Sequence, residues 1–308
     1  MDRSVVALAP AGAHSHADAP LRDRVAVVTG ASRGGGRAIA MVLGEAGTTV
    51  YVTGRSTREA GTTENLPGTI DETAEAVTAR GGTGIPVRVD HTADAEVEAL
   101  FDRVRSEQGR LDLLVNNAWG GYERYDGCTF DAPFWEQPLS RWDAMFTAGV
   151  RTHFVASRNA APLMIERSSG LIVGTVAWAF GAYTGNLYYD TAKAAVIRMA
   201  FGMAEELRSH GITAVAVAPG FMRTERVLAA HAAEPFDLDA TETPEYLGRA
   251  IAALATDPRV REKSGQQLTA GDLAHEYGFT DVDGRQPTPF RLPVRESDHL
   301  SHEPAPAH

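Results

Sequence analysis

The sequence predicts an α/β protein: a doubly wound parallel sheet of the Rossmann type, folded as a single domain. Two observations carry this. From Arg24 onward, short β-branched runs alternate with longer Ala-rich stretches of helical period, the pattern of strands buried on both faces and joined by crossover helices. A glycine-rich turn, Thr29-Gly30-Ala31-Ser32-Arg33-Gly34-Gly35-Gly36, stands directly between the first such strand and the first such helix.

Taken in order, Val25–Thr29 reads as a buried strand and Arg37–Ala46 as the helix behind it, closed by Gly47. Thr49–Thr53 is a second strand, Glu72–Arg80 a helix and Ile85–Val89 a third strand. Glu96–Gln108 carries Val97, Leu100, Phe101 and Val104 at helical spacing. Leu113–Val115 is a fourth strand. Two long helices are expected over Trp142–Glu166 and Thr191–His210, with a strand at Leu171–Thr175 between them. Thr213–Val217, a short helix near Tyr246–Ala255 and a strand near Gln266–Thr269 complete the pattern. Residues 1–20 read as a disordered tail, 21–284 as the folded domain and 285–308, rich in Pro, His and charge, as an exposed tail.

Composition narrows the function classes. The formal net charge of −11 comes with no basic stripe, so no nucleic-acid partner is expected. No apolar run nears the roughly 20 residues that span a bilayer, so no membrane partner is expected either. Cys128 is the single cysteine, which excludes an intrachain disulfide and suits a reducing, cytoplasmic setting. No His/Cys/Asp group has metal-ligand spacing, so no metal is expected.

The glycine-rich turn has a physical reading. Gly30 allows a tight turn. Absence of side chains from Gly34 and Gly35 lets the backbone approach a pyrophosphate, helped by the Ser32 hydroxyl. Gly36 lets the helix pack closely on the strand, and the helix N-terminus offers free N–H groups to the anion. An acidic residue some 20 positions on usually grips the ribose of NAD. Here the stretch is Tyr51-Val52-Thr53-Gly54-Arg55. Arg55, with Arg33 in the turn itself, suits a 2′-phosphate through charge-assisted bonds. The expectation is NADP(H) in preference to NAD(H). Asp90, at the end of the third strand, is a candidate acceptor for the adenine amine, or else a cap for the helix that follows.

Tyr189 and Lys193 lie four apart at the start of a predicted helix and so share a face. An ammonium beside a phenol stabilises the phenolate, which makes Tyr189 a candidate acid or base. Lys193 and Lys263 are the only lysines in the chain.

These motifs together resemble the short-chain dehydrogenase/reductase family. Thr29 to Gly36 resembles its cofactor signature, and Asn116-Asn117-Ala118 its Asn-Asn-Ala-Gly motif, with Trp119 in place of the last glycine. Tyr189-Asp-Thr-Ala-Lys193 resembles its Tyr-x-x-x-Lys pair, and Pro219-Gly220-Phe-Met-Arg-Thr224 the segment that contacts nicotinamide. A closer likeness, in Leu254–Pro258, Asp272–Gly284 and Phe134–Glu136, is to the subgroup typified by dehydrogenase/reductase SDR family member 1. The resemblance implies Tyr189 as acid/base and Lys193 as its tuning group and ribose ligand. It also implies Asn117, Ala118, Pro219, Gly220 and Thr224 at the cofactor, and a homodimer or homotetramer.

Two family positions differ. Val176 stands where a serine hydroxyl polarises the substrate carbonyl, leaving Thr175 as the nearest candidate, with Tyr183 and Thr184 behind it. Gly149 stands where an asparagine often supports a proton relay. Trp119, Trp178 and Tyr183, with Tyr122, Tyr125, Phe134 and Trp135, suggest a pocket for a bulky apolar or aromatic substrate. The resulting expectation is an NADP(H)-dependent oxidoreductase acting on a carbonyl or alcohol, or on C=C or C=N. The alternatives are a non-redox enzyme on the same scaffold (dehydratase, epimerase or cyclase) and an NADPH-sensing binding protein.

Overall fold

A computed structural model of the chain describes residues 19–123, 127–177, 183–239 and 241–291. Seven parallel strands form one sheet in the order β3-β2-β1-β4-β5-β6-β7. They are β1 (Val25–Val28), β2 (Thr49–Gly54), β3 (Thr83–Arg88), β4 (Leu113–Asn116), β5 (Gly170–Thr175), β6 (Ile212–Ala218) and β7 (Gln267–Thr269). The chain starts in the middle of the sheet, builds outward to β3, then returns to place β4 against the other side of β1. The strand order therefore reverses between β1 and β4, and a crevice opens at their carboxyl ends.

Both faces of the central strands are covered, which is why they are continuously apolar rather than alternating. Ala26, Val28, Val50 and Val52 pack under α1 (Gly34–Glu45), α2 (Ile70–Ala79) and α8 (Pro244–Thr256). Val25, Val27 and Tyr51 pack under α3 (Asp94–Gln108) and α5 (Thr152–Ile165). The α2 start is fixed by a capping box in which Thr69 and Glu72 bond each other's backbone N–H.

The expected helix over Trp142–Glu166 is not continuous. It consists of α4 (Leu139–Met145), a π-helical turn over Phe146–Arg151, and α5. The Ala148 carbonyl turns out of the helix to accept from Gly120 N at 2.9 Å, and such a diverted carbonyl accounts for the widened turn. The other long helix, α6 (Leu187–Leu207), begins four residues earlier than its apolar pattern shows, capped by the Asn186 side chain. Two helices were not foreseen: α7 (Glu225–Ala233), which buries no residue, and α9 (Ala270–Tyr277), only two turns long.

Residues 285–291 are largely exposed yet bonded to the domain. Gln286 donates to Ala274 O and Phe279 O, Pro289 lies against Gly271, and Phe290 reaches the crevice. Residues 1–18 and 292–308, with Tyr125 and Trp178, lie outside the described residues.

Candidate active site

The crevice holds a cavity of about 910 Å³, lined on one side by the glycine-rich turn and on the other by the start of α6. Gly30 has φ +64°, and a Cβ there would lie 2.7 Å from Ala118 Cα. A Cβ on Gly36 would come within 2.3 Å of Gly30 O. Side chains are thus excluded from the turn by the segment that follows β4 and by the turn itself, which fits a backbone shaped to meet a phosphate. The Asn117 amide holds that shape, donating to Thr29 O and Gly30 O at 3.1 Å, while Thr29 Oγ1 accepts from Asn117 N and Ala118 N. At the α1 N-terminus, Gly34 N donates to both carboxylate oxygens of Glu225, at 3.0 and 3.3 Å. An anion therefore already rests where a pyrophosphate would be bound, and Ser32 and Gly35 line the same cavity. These features fit a nicotinamide dinucleotide.

The expected cationic and adenine groups are placed differently from one another. Arg55 lines the cavity and is ion-paired with Glu123. Arg33 spends its donors elsewhere: on Pro67 O, Thr63 Oγ1, Ser56 Oγ, Leu66 O and Gly68 O. Arg33 nevertheless lines the cavity, and its partly buried guanidinium clasps the 63–68 loop. Asp90 lines the cavity, and its carboxylate accepts from Thr92 N and Oγ1, closing a turn before α3; the helix itself has Ala93 at its N-cap with no side-chain cap, so the helix-cap alternative is not met.

Tyr189 and Lys193 sit together in the first turns of α6, as their spacing predicts. Asn186 fixes them: its Oδ1 accepts from Tyr189 N and its Nδ2 donates to Phe130 O and to Gln137 Oε1. This ties α6 to the loop whose Phe130 ring packs edge-on against Tyr189, 5.6 Å between centroids. Buried Arg141 holds the same loop through Cys128 O and Thr129 O.

The Lys193 ammonium lies over the Trp119 ring. Nζ stands 3.8 Å from the Trp119 ring centroid and 5.4 Å from that of Tyr189. Burial pulls Lys193 down to about 7. Burial also pushes the Tyr189 phenol above its ordinary range, with a hydrogen bond to Tyr122 pulling partly back. The expected lowering of Tyr189 by its neighbour is therefore reversed here, because desolvation outweighs an ammonium that faces another ring.

At the β5 end, Thr175 lines the cavity, while Val176 packs with Val196, Ile197 and Ala200. Thr184 also lines it, and its Oγ1 is buried without a partner among the described residues. Tyr183, expected in the pocket, is 58% exposed and does not line it, nor do Phe134 and Trp135. All three are exposed. The aromatic wall is real but differently composed: Trp119, Tyr122 and Phe130 are joined by Phe221, Phe236 and Phe290. Phe130 and the last three were not anticipated: Phe130, Phe236 and Phe290 belong to no motif, and Phe221 stands at a variable position inside the Pro219–Thr224 segment. Pro219 and Gly220 line the floor, and Thr224 both lines the cavity and caps α7 through Val227 N. Arg151 is spent on a surface pair with Asp94, and His153 is buried against Ala118 O.

A parallel sheet with its topological switch at a glycine-rich turn, facing a Tyr–Lys pair, defines a nicotinamide-dependent oxidoreductase scaffold. The family model for short chain dehydrogenases matches residues 24–234, and the chain belongs to the short-chain dehydrogenase/reductase family. It is 40% identical over 279 residues to dehydrogenase/reductase SDR family member 1 of Mus musculus, covering 87% of this chain and 86% of that one. It is 33% identical over 252 residues to a 3-oxoacyl-[acyl-carrier-protein] reductase of Synechocystis, covering 80% and 94%. A solved short chain dehydrogenase from Mycobacterium thermoresistibile superposes with TM-score 0.74 at 26% identity, covering 89% of this chain and 96% of that one.

Proposed function

We propose that this chain is an NADP(H)-dependent reductase of a bulky apolar or aromatic carbonyl compound, or of a related C=C or C=N bond. The observation that carries this is the placement of Tyr189 and Lys193 between the dinucleotide turn and an aromatic wall, inside one cavity. Arg55, rather than a carboxylate, at the end of β2 supports the phosphorylated cofactor.

Bound nicotinamide would supply the hydride. Tyr189 Oη donates its proton to the substrate oxygen as negative charge gathers there. Its raised pKa suits that direction, since the phenol stays protonated until a stronger base arrives. Lys193 holds the ribose and, when charged, stabilises the phenolate left behind. Thr175 or Thr184 supplies the hydroxyl that Val176 lacks. Trp119, Phe130 and Phe221 exclude water and accept a flat or branched substrate. The same reading places the enzyme in the cytoplasm as a homodimer or homotetramer.

Tyr189→Phe tests the reading. It removes one hydroxyl and leaves the cavity shape. NADPH binding stays within about threefold of wild type while reduction of an aromatic dione falls by roughly 10²–10⁴. Full turnover in this variant would end the assignment of Tyr189. The Val176 position favours a second reading, a dehydratase, epimerase or cyclase on the same scaffold. Substrate would then be consumed with no net absorbance change at the nicotinamide band.

A further inference from the structure

Two of the three departures from the family pattern, Trp119 and Gly149, meet in space. A Cβ built on Gly149 would lie 2.5 Å from Trp119 Cζ3 and 2.7 Å from Cε3. On the other edge of the indole, a Cβ on Gly121 would lie 2.6 Å from Cζ2. Trp119 therefore occupies a slot between two glycines, one in its own turn and one in the π-helical turn of Phe146–Arg151. An asparagine at position 149 has no room while the indole is present.

The face of the indole carries the Lys193 ammonium, at 3.8 Å. Among the described residues no oxygen accepts from Lys193 Nζ and no carboxylate faces it. Its titratable neighbours are Tyr189 on its own helix, Tyr122 beyond β4, and His153 on α5. The His153 imidazole is fully buried and neutral, and burial keeps the Tyr189 phenol above its ordinary range and uncharged near neutral pH. A buried ammonium with no counter-ion is costly, and an aromatic face is the remaining source of stabilisation.

We infer that Trp119 is a positioning residue, whose indole face seats the Lys193 ammonium where a polar support would otherwise stand, and that Gly149 is the space this seat requires. The seat is a property of the unliganded chain. Its consequence for Tyr189, that indole and lysine together set the pH range of proton donation, rests on the reductase reading. Removing the indole leaves Lys193 in a drier, uncompensated pocket, which favours the neutral amine.

Because the chain has two lysines, the experiment is direct. Lysine labelled with ¹³C at Cε gives two titrating NMR signals in the full-length protein, and Lys263→Arg identifies that of Lys193. Trp119→Leu is expected to lower the Lys193 midpoint by about one pH unit or more, a tenfold change in its protonation constant, from the loss of a desolvated cation–π contact. Trp119→Phe, with a weaker ring, gives an intermediate shift. Gly149→Ala pushes the indole aside and moves the midpoint in the same direction. In Trp119→Leu/Gly149→Ala the second change adds nothing, since no indole remains to be displaced. A folded Trp119→Leu protein with the wild-type midpoint overturns the inference, as does additivity in the double variant. Should Trp119→Leu fail to fold, Trp119→Phe and Gly149→Ala decide by the same criterion. The titration uses neither cofactor nor substrate, so an inactive enzyme that shows these shifts refutes the reductase reading and leaves the seat intact.

Discussion

Glu225 rests on the anion seat of the dinucleotide turn, and its removal is expected to tighten cofactor binding. Both of its carboxylate oxygens accept from Gly34 N, at the positive end of the twelve-residue α1. A pyrophosphate bound there must expel this carboxylate. A hydrogen bond to a charged group contributes about 1.5–3 kcal/mol net and a neutral one about 0.5–1.5. Favourable charge at a helix N-terminus adds about 0.3–1 kcal/mol. Glu225→Gln keeps the shape and a neutral acceptor, so the cost of displacement falls by about 1–2 kcal/mol. The dissociation constant for NADPH should drop about five- to thirtyfold. Calorimetric titration of both proteins with NADPH measures this at low salt. Adenosine 2′-monophosphate, which lacks the pyrophosphate, serves as the control and should bind both proteins alike. Unchanged or weaker NADPH binding in the variant would refute the reasoning, and so would equal tightening toward the control ligand.

Three further outcomes are expected. Arg55→Ala should weaken NADPH at least tenfold and leave NADH nearly unchanged, whereas Arg33→Ala should weaken both together and lower the melting temperature, because Arg33 clasps the 63–68 loop; binding titrations and thermal melts separate the two. Burial, with the charge of Asp281 adding, pushes the Glu242 carboxyl from an ordinary 4.5 up to about 7. Between those values the folded state keeps a proton that the unfolded chain has released, so stability falls as pH rises through that window. Relative to wild type, Glu242→Gln should therefore gain stability from pH 4.5 to 7, by an amount of the order of 3 kcal/mol, read from urea unfolding at several pH values. Thr184→Val should reduce turnover more than Thr175→Val, since the Thr184 hydroxyl is buried in the cavity without a partner; equal effects from the two would leave Thr184 no special role.

The sheet was legible in the sequence because strands buried on both faces must be largely apolar, and Val25–Val28, Leu113–Val115 and Ala214–Ala218 are apolar throughout. The π-helical turn was not, because Trp142–Glu166 keeps a helical pattern through it and only a distant N–H, that of Gly120, draws the Ala148 carbonyl away. Helix α7 was hidden for a related reason: it buries nothing, so it leaves no apolar period to read. At the site, the Tyr189–Lys193 spacing was enough to place both side chains together. It did not reveal where the ammonium points, which depends on Trp119 arriving from β4. Arg33 was recognisable as a cation near phosphate, but three of its five acceptors are backbone carbonyls from residues 66–68, which carry no signature. Tyr183 and Thr184 illustrate the limit of a one-residue argument. Backbone direction after the loop, not chemistry, sends one outward and the other into the cavity.

The slot between Gly121 and Gly149 also constrains the order in which this lineage could have changed. An indole arriving at position 119 while a side chain still occupied position 149 would have collided with it at under 3 Å. A glycine at 149 arriving first leaves a cavity, which is tolerable, and the indole can then fill it. The reverse path is closed in the same way: no single substitution returns position 149 to asparagine without first surrendering the tryptophan. Positions 119 and 149 are thus exchangeable only together, or with the small residue in place first.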